Sequence, residues 1–182
     1  MKHLAKLRHL LILGCLLLSP VIVHADDQTT PFQVNLFYPL QMHPGDYNVD
    51  GFRWDIIYGV NQDFQGFDMG IVNNIKGEAH GFELGIFNQA EKDFDGWQWG
   101  FVNEVKDDLK GFQLGVITNV TRGSLTGFQA SVFFNDTIDT MHGFQLGLVN
   151  AAGSLNGLQI GLFNFNDDEK YLGFFPFIHA AF

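Results

Sequence analysis

The feature that most constrains this chain is a short block of residues that recurs at an almost constant interval. The blocks read GFDMGIVN from Gly66, GFELGIFN from Gly81, GWQWGFVN from Gly96 and GFQLGVITN from Gly111. They continue as GFQASVFFN from Gly127, GFQLGLVN from Gly143 and GLQIGLFN from Gly157, with degenerate copies GFRWDIIY from Gly51 and GFFPFIHAAF from Gly173. Successive leading glycines lie 15, 15, 15, 15, 16, 16, 14 and 16 residues apart, which makes nine units. A period this short, with almost no insertion, means that one supersecondary unit is paired or stacked with copies of itself.

Within a unit the chemistry alternates with the period of a strand. Counting the leading glycine as position one, position two is Phe, Trp or Leu, and position four is large and apolar apart from Ala130 and Pro176. Position six is always apolar, whereas position three is polar in eight of nine units, from Arg53, Asp68 and Glu83 to Gln159. One strand face is therefore Phe-Leu-Ile and the other Gln-Gly. A helix would not hold this alternation, and a glycine in every unit would weaken it.

Charged or glycine-containing connectors separate the blocks: Lys76–Glu78, Glu91–Asp93, Lys106–Asp108, Arg122–Ser124, Ile138–Thr140, Gly153-Ser154 and 167–170. Two all-β architectures follow. Read as hairpin turns, the connectors give antiparallel strands in an up-and-down β-barrel. Phe32–Leu40 added to the nine units makes ten strands, an even number as in most bacterial outer-membrane barrels. The alternative is a β-solenoid in which each unit is one coil and the recurrent Asn73, Asn88, Asn103, Asn119, Asn135, Asn150 and Asn164 stack as a ladder. Reach favours the barrel: a straight strand of about 11 residues spans about 36 Å, and a short turn cannot bring it back to its start. The solenoid needs a sharp bend at the glycines.

The first 25 residues read as an export signal. Lys2, Lys6 and Arg8 precede the apolar run Leu10 to Leu18, and Val23-His24-Ala25 supplies a small-residue cleavage site. A lipobox at Ile12-Leu13-Gly14-Cys15 is the rival reading. Removing 25 of 182 residues leaves a single β-repeat domain, 26–182, without cysteine. Its 7 Lys and Arg stand against 20 Asp and Glu, a net charge of −13 that repels phosphate backbones and argues against nucleic acid as a partner. No later segment is a continuous apolar run long enough for a membrane-spanning helix.

From about Pro31 to Phe182 the chain resembles the bacterial surface-repeat proteins built from G-[FL]-[QDE]-[LI]-G-[LIVF]-[VIF]-N units. The resemblance includes a head, PFQVNLFYPLQ, and a tail, GFFPF, ending in Phe; the departures are Asp55, Ser131 and Phe177 at position five. It implies an envelope or surface location and assigns no activity.

Motifs that carry chemistry are sparse. Asp46-Tyr47-Asn48-Val49-Asp50-Gly51 begins like a calcium loop, but its twelfth position is Ile57 rather than a bidentate Glu. His43, His80, His142 and His179 have no zinc-pair spacing. Asn119-Val120-Thr121 and Asn135-Asp136-Thr137 match a glycosylation sequon yet occupy repeat positions. Trp97 and Trp99 could stack a sugar, or face lipid or core. No serine-hydrolase elbow, phosphate loop or mature cysteine nucleophile is present, so the expectation is no enzyme, no cofactor and no metal.

The last segment alternates apolar residues back from Phe182, as outer-membrane assembly signals do. In the barrel reading the Phe-Leu-Ile face meets outer-membrane lipid, the final strand pairs with the first, and the barrel assembly machinery is a partner. The Gln-Gly face then lines a narrow lumen in which Arg53 lies beside Asp68 and Glu83. In the solenoid reading the protein is soluble in the periplasm or secreted, and binds a partner of unknown chemistry, protein or glycan, on that face.

Overall fold

A computed structural model describes residues 28–169 and 173–182; the leader expected over 1–25 lies outside them. Twelve strands are present: β1 (Thr29–Phe37), β2 (Leu40–Gln41), β3 (Asn48–Asn61), β4 (Phe64–Ile75), β5 (Ala79–Leu84) and β6 (Phe87–Ala90), followed by β7 (Phe94–Val105), β8 (Leu109–Thr121), β9 (Leu125–Ser131), β10 (Phe134–Leu146), β11 (Val149–Asn166) and β12 (Phe174–Ala181). No helix among the described residues is long and apolar enough to cross a membrane.

The strands form a parallel β-solenoid of about nine turns, which corrects the expected barrel. Each unit is one coil, and it stacks on the next with equivalent positions in register. Gly96 pairs with Gly81 on one side and Gly111 on the other, and Trp99 pairs with Leu84 and with Leu114. The hairpin expectation would have set Trp99 beside Val116 instead. Among the described residues, antiparallel pairing occurs only at the two ends, where β2 folds on β1 and β12 folds on β11. The final strand therefore caps the stack and does not return to β1.

The limited reach of a short turn does not prevent stacking, because the strand is not straight. Each coil turns twice. One turn is the expected connector, as at Lys76–Glu78, Glu91–Asp93, Lys106–Asp108 and Arg122–Ser124. The other lies at positions five and six, visible as breaks at Gly85-Ile86 and Gly147-Leu148 and as register shifts between Asp55 and Tyr58 and between Gly100 and Val102. Two short arms then return the chain to its start within one repeat, at the strand spacing of about 4.8 Å. The Ile138–Thr140 and Gly153-Ser154 connectors are absorbed into β10 and β11.

The leading glycine has its own cause. All eight from Gly51 to Gly157 have positive φ, between 131° and 158°. At Gly111, for example, a Cβ would overlap the carbonyl oxygen of Gly96 in the coil before. The column needs both the backbone conformation and the close approach that only glycine allows.

The interior of the coil has two halves. Next to the connector turn it is apolar, filled by Phe64, Phe94, Leu109, Leu125 and Met141 from one arm and Ile75, Val105 and Ala152 from the other. Next to the second bend it is polar, filled by the position-three row and the Asn row, whose members are essentially without solvent exposure. The apolar positions two, four, six and seven point outward. Phe32, Phe52, Phe67 and Phe82 stack as a column along the outer face, with ring centroids 5.3 to 5.9 Å apart. The Gln-Gly face is thus filled core rather than the wall of a lumen or a docking face.

Candidate functional site

The polar interior is built from two rows of side chains whose hydrogen bonds run in opposite directions. In the first, Asn73 Nδ2 donates to Asn88 Oδ1, and the pattern repeats through Asn103, Asn119, Asn135 and Asn150 to Asn164 at 2.8 to 2.9 Å. The same Nδ2 groups also donate to the position-four carbonyls of the following coil: Leu84, Trp99, Leu114, Ala130, Leu146 and Ile160. The ladder therefore gives the carbonyls at the bend a side-chain donor, and those of Trp99 and Ile160 accept the backbone N–H of Gly85 and Gly147 as well. This explains why the position demands Asn: a short side chain with a donor and an acceptor in one plane.

In the second row Gln159 Nε2 donates to Gln145 Oε1, and so on through Gln129 and Gln113 to Gln98, at 2.7 to 2.8 Å. Direction here is towards the N-terminus. At the far end His179 Nδ1 lies 3.2 Å from Gln159 Oε1 and its ring stacks on Phe175 at 3.8 Å. Because that oxygen needs a donor, the ring carries its hydrogen on Nδ1. Burial holds the His179 pKa below its usual value, in keeping with a neutral ring. Nothing in the repeat pattern signals this role, because His179 reaches the row only through the antiparallel turn-back of β12, which pairs it with Gln159.

At the N-terminal end the row changes from amides to charges. Gln98 donates to Glu83 Oε2 at 2.7 Å, Glu83 lies in register with Asp68, and Asp68 with Arg53. Arg53 makes a two-pronged contact with the Asp68 carboxylate through Nε and Nη2, approaches Asp55 at 3.2 Å and lies over the Phe64 ring at 5.3 Å. The expected juxtaposition of Arg53, Asp68 and Glu83 is thus present, and fully enclosed.

Asp55, a departure from the repeat, belongs to the same cluster. It aligns with Gly70, while Gly59 takes the register of Asn73. The Asp55 carboxylate fills the space an Asn at position eight would use, and a Cβ at Gly59 would collide with it. Asn35 donates to Asp55 in turn. The two substitutions compensate sterically, but Asn73 Oδ1 and Asp55 Oδ2 are left without hydrogen-bond partners.

One guanidinium faces three buried carboxyls. Burial opposes charge on Arg53, but Asp68 and Asp55 outweigh it and keep the guanidinium protonated. Burial raises Asp55 to about 7 and Glu83 to about 8, the latter helped by the charge on Asp68; Asp68 is also raised by burial, against the pull of Arg53. Arg53 and Asp68 form the ionised pair and Glu83 holds a proton. Glu83 Oε1 is buried with no partner, and a hydrogen on it continues the direction of the Gln row towards Asp68.

The remaining sequence candidates do not converge. Asn48, Val49 and Asp50 lie in β3 rather than in a calcium loop. His43 stacks on Tyr47, while His80 and His142 stand exposed on the outer surface. No group of three or more His, Cys, Asp or Glu poised for a metal occurs among the described residues. Asn119 and Asn135 have no accessible surface and cannot receive a glycan in the folded coil. Trp97 and Trp99 lie on the outer apolar face, about half exposed. No protein-family model, curated protein or solved structure matches the chain.

Proposed function

We propose that the chain is an exported surface-repeat protein of a bacterial cell envelope, with a structural role, no catalysis, and an outer-membrane or surface location. One observation carries this reading. The side chains capable of acid-base or binding chemistry on the repeat's polar face are consumed in buried ladders, whereas the side chains presented outward are apolar. A protein of this design acts through its outer surface. The charged leader and the resemblance to envelope repeat proteins support export.

The corrected fold changes the expected partners. Barrel assembly machinery loses its basis once the strands stack in parallel. A ligand docking on the Gln-Gly face has no surface there to meet. The outer rows are the surface that remains, and a periplasmic or secreted protein would have to use them too.

The test is fractionation of cells producing all 182 residues, with N-terminal sequencing of the product. Recovery in the envelope or on the surface, with Asp26 as first residue, supports the proposal. Recovery in the cytoplasm with an uncleaved leader overturns it.

A further inference from the structure

The Asn ladder has one irregular rung, where Gly59 stands in register with Asn73 and the Asp55 carboxylate fills the space of a ladder side chain. We infer that a hydrogen carried by Asp55 and donated to Asn73 completes the ladder through this rung, and that its loss at raised pH opens the N-terminal coil, β1 and β2, while the later coils stay closed. The fold thus holds a proton-dependent latch at one end.

The first ground is position. In a regular rung a Cβ at Gly85 would meet Asn88 Oδ1 and the Asn73 Nδ2 that donates to it. At the equivalent Gly70 a Cβ would meet Asn73 Oδ1 and, on the donor side, Asp55 Cβ. Asn73 Oδ1 therefore faces an acid in the place of an amide donor. On the other side of Asp55, Asn35 donates to Asp55 Oδ1, and Gln33 Nε2 donates to Asn35 Oδ1 at 2.8 Å. Hydrogen bonds thus run in one direction from Gln33 to Asp55 and again from Asn73 to Asn164, and the gap lies between Asp55 and Asn73.

The second ground is the supply of donors. Asp55 Oδ2 and Asn73 Oδ1 are both buried acceptors without a hydrogen-bond partner. Asn35, Asp55 and Asn73 have no accessible surface, so bulk water does not serve them. Arg53 Nε lies 3.2 Å from Asp55 Oδ2, but its hydrogen goes to Asp68 Oδ1, and Nη1 donates to Asn61 Oδ1 and the Asn74 carbonyl. One hydrogen on Asp55 Oδ2 serves both oxygens at once, because a neutral carboxyl has a donor and an acceptor as an amide does. Two buried acceptors left open would cost more than an ordinary hydrogen bond returns.

The charges nearby agree with the geometry. Asp55 is faced by Arg53 on its own strand, by Asp68 on β4 and, further along the row, by Glu83 on β5. Neither β1 nor β2 contains a titratable side chain. Burial favours the neutral acid, Arg53 opposes it, and the charge on Asp68 opposes Arg53 in turn. The folded value of about 7 stands above the ordinary 3.8, so the hydrogen is held below it and lost as pH rises through it.

The end coil is where that loss acts. An ionised Asp55 keeps the hydrogen bond from Asn35 but turns a charged oxygen towards Asn73 Oδ1 with nothing between them. Water reaches the carboxylate most readily from the N-terminal side, where β1 covers it. The pairing of β1 with β3 shifts register on both sides of Asn35, between Thr30 and Phe32 and between Asn35 and Phe37. An end coil also has one neighbouring coil where an inner coil has two. Opening there breaks the fewest contacts and solvates the charge.

The experiment uses the chain purified from cells producing all 182 residues. Carbon NMR follows the Asp55 carboxyl, and hydrogen-exchange protection, corrected for the intrinsic rate, is compared at pH 5 and pH 8. The expected result is a neutral Asp55 at pH 5, a charged one at pH 8, and protection in Thr29–Phe37 that falls at least about tenfold while that in Leu109–Thr121 holds. Asp55→Asn puts an amide in the rung and keeps Thr29–Phe37 protected at both pH values. Glu83→Gln leaves the fall in Thr29–Phe37 in place, which separates this hydrogen from the one on Glu83. An Asp55 already charged at pH 5 overturns the inference, whether or not the variants fold. So does an Asp55→Asn chain that loses Thr29–Phe37 protection as the unaltered chain does, or an unaltered chain whose protection there is the same at both pH values.

Discussion

The coils at the two ends of the polar row solve the same problem differently. From Gln98 to Gln159 the interior row is neutral, and each amide donates to one neighbour and accepts from the next. From Arg53 to Glu83 the same column is filled by one guanidinium and two carboxyls, with Asp55 as a third carboxyl beside it. The amide row is indifferent to pH and can be extended by adding coils. The charged part is balanced only at one protonation state, and it leaves Asp55 Oδ2, Asn73 Oδ1 and Glu83 Oε1 without hydrogen-bond partners. The difference teaches that a coil tolerates any planar polar group at position three, but only amides make the row self-sufficient. Stability in a stack of this kind is a sum of coil and neighbour contributions, so the two parts can be probed separately.

The largest effect is expected at Arg53. Replacing Arg53→Met removes the only cation among the described residues that faces Asp68 and Asp55, leaving buried carboxylates uncompensated, and costs about 3–5 kcal/mol. Denaturant unfolding measures it; a cost below about 1 kcal/mol would mean that water reaches the cluster. Next comes the Asn ladder of the neutral part. Asn103→Ala leaves Asn88 Nδ2 without its ladder acceptor, and strips a donor from Asn119 Oδ1 and from the Leu114 carbonyl. A loss of about 2–3 kcal/mol is expected, with little dependence on pH.

The third prediction concerns pH. Glu83, raised to about 8 from 4.5, and Asp55, raised to about 7 from 3.8, hold protons in the folded state that the unfolded chain releases. The folded state therefore binds more protons between about pH 4 and 8, and its stability falls as pH rises through that window. Hydrogen-exchange protection, corrected for the intrinsic rate at each pH, is expected to fall from pH 5 to pH 8 in Asn48–Asn61 and in Phe64–Leu84 while that of Phe94–Ile160 changes little. An equal loss of protection throughout would dissolve the distinction between the two parts. The smallest change in stability is expected from Glu83→Gln. An amide there continues the Gln row and donates to Asp68 without a titrating proton. Stability at pH 5 should stay within about 1 kcal/mol of the unaltered chain, and part of its decline towards pH 8 should vanish.

Much of this was legible in the repeat. The strand period, the division into an apolar and a polar face, the turns at Lys76–Glu78 and Lys106–Asp108, and the meeting of Arg53 with Asp68 and Glu83 all follow from side-chain order. The Asn ladder was legible too, as the mark of the solenoid. Topology was not, because alternation of period two is the same for a strand paired antiparallel with its neighbour and for one stacked in parallel. What separates them is the bend at position five. Gly85 permits it but does not announce it, and Asp55 at the same position points inward at the price of Gly59 three residues after the bend. His179 was invisible for a related reason: its partner is set by the antiparallel register of β12 with β11 rather than by the repeat. Pro176 has no N–H to give a strand ladder, and it falls where the register shifts between Gly161 and Asn164 opposite Phe177 and Phe175.

Parallel stacking in one-unit register is the claim on which the rest depends, and disulfide formation between paired cysteines tests it most directly. Trp99 and Leu114 are register partners on adjacent coils with outward side chains, a geometry that two cysteines can bridge. Trp99→Cys with Leu114→Cys should oxidise readily to an intramolecular disulfide in the folded protein, whereas Phe101→Cys with Leu114→Cys should not. Ready closure of the 101–114 pair with failure of the 99–114 pair would restore the antiparallel hairpin and contradict the solenoid.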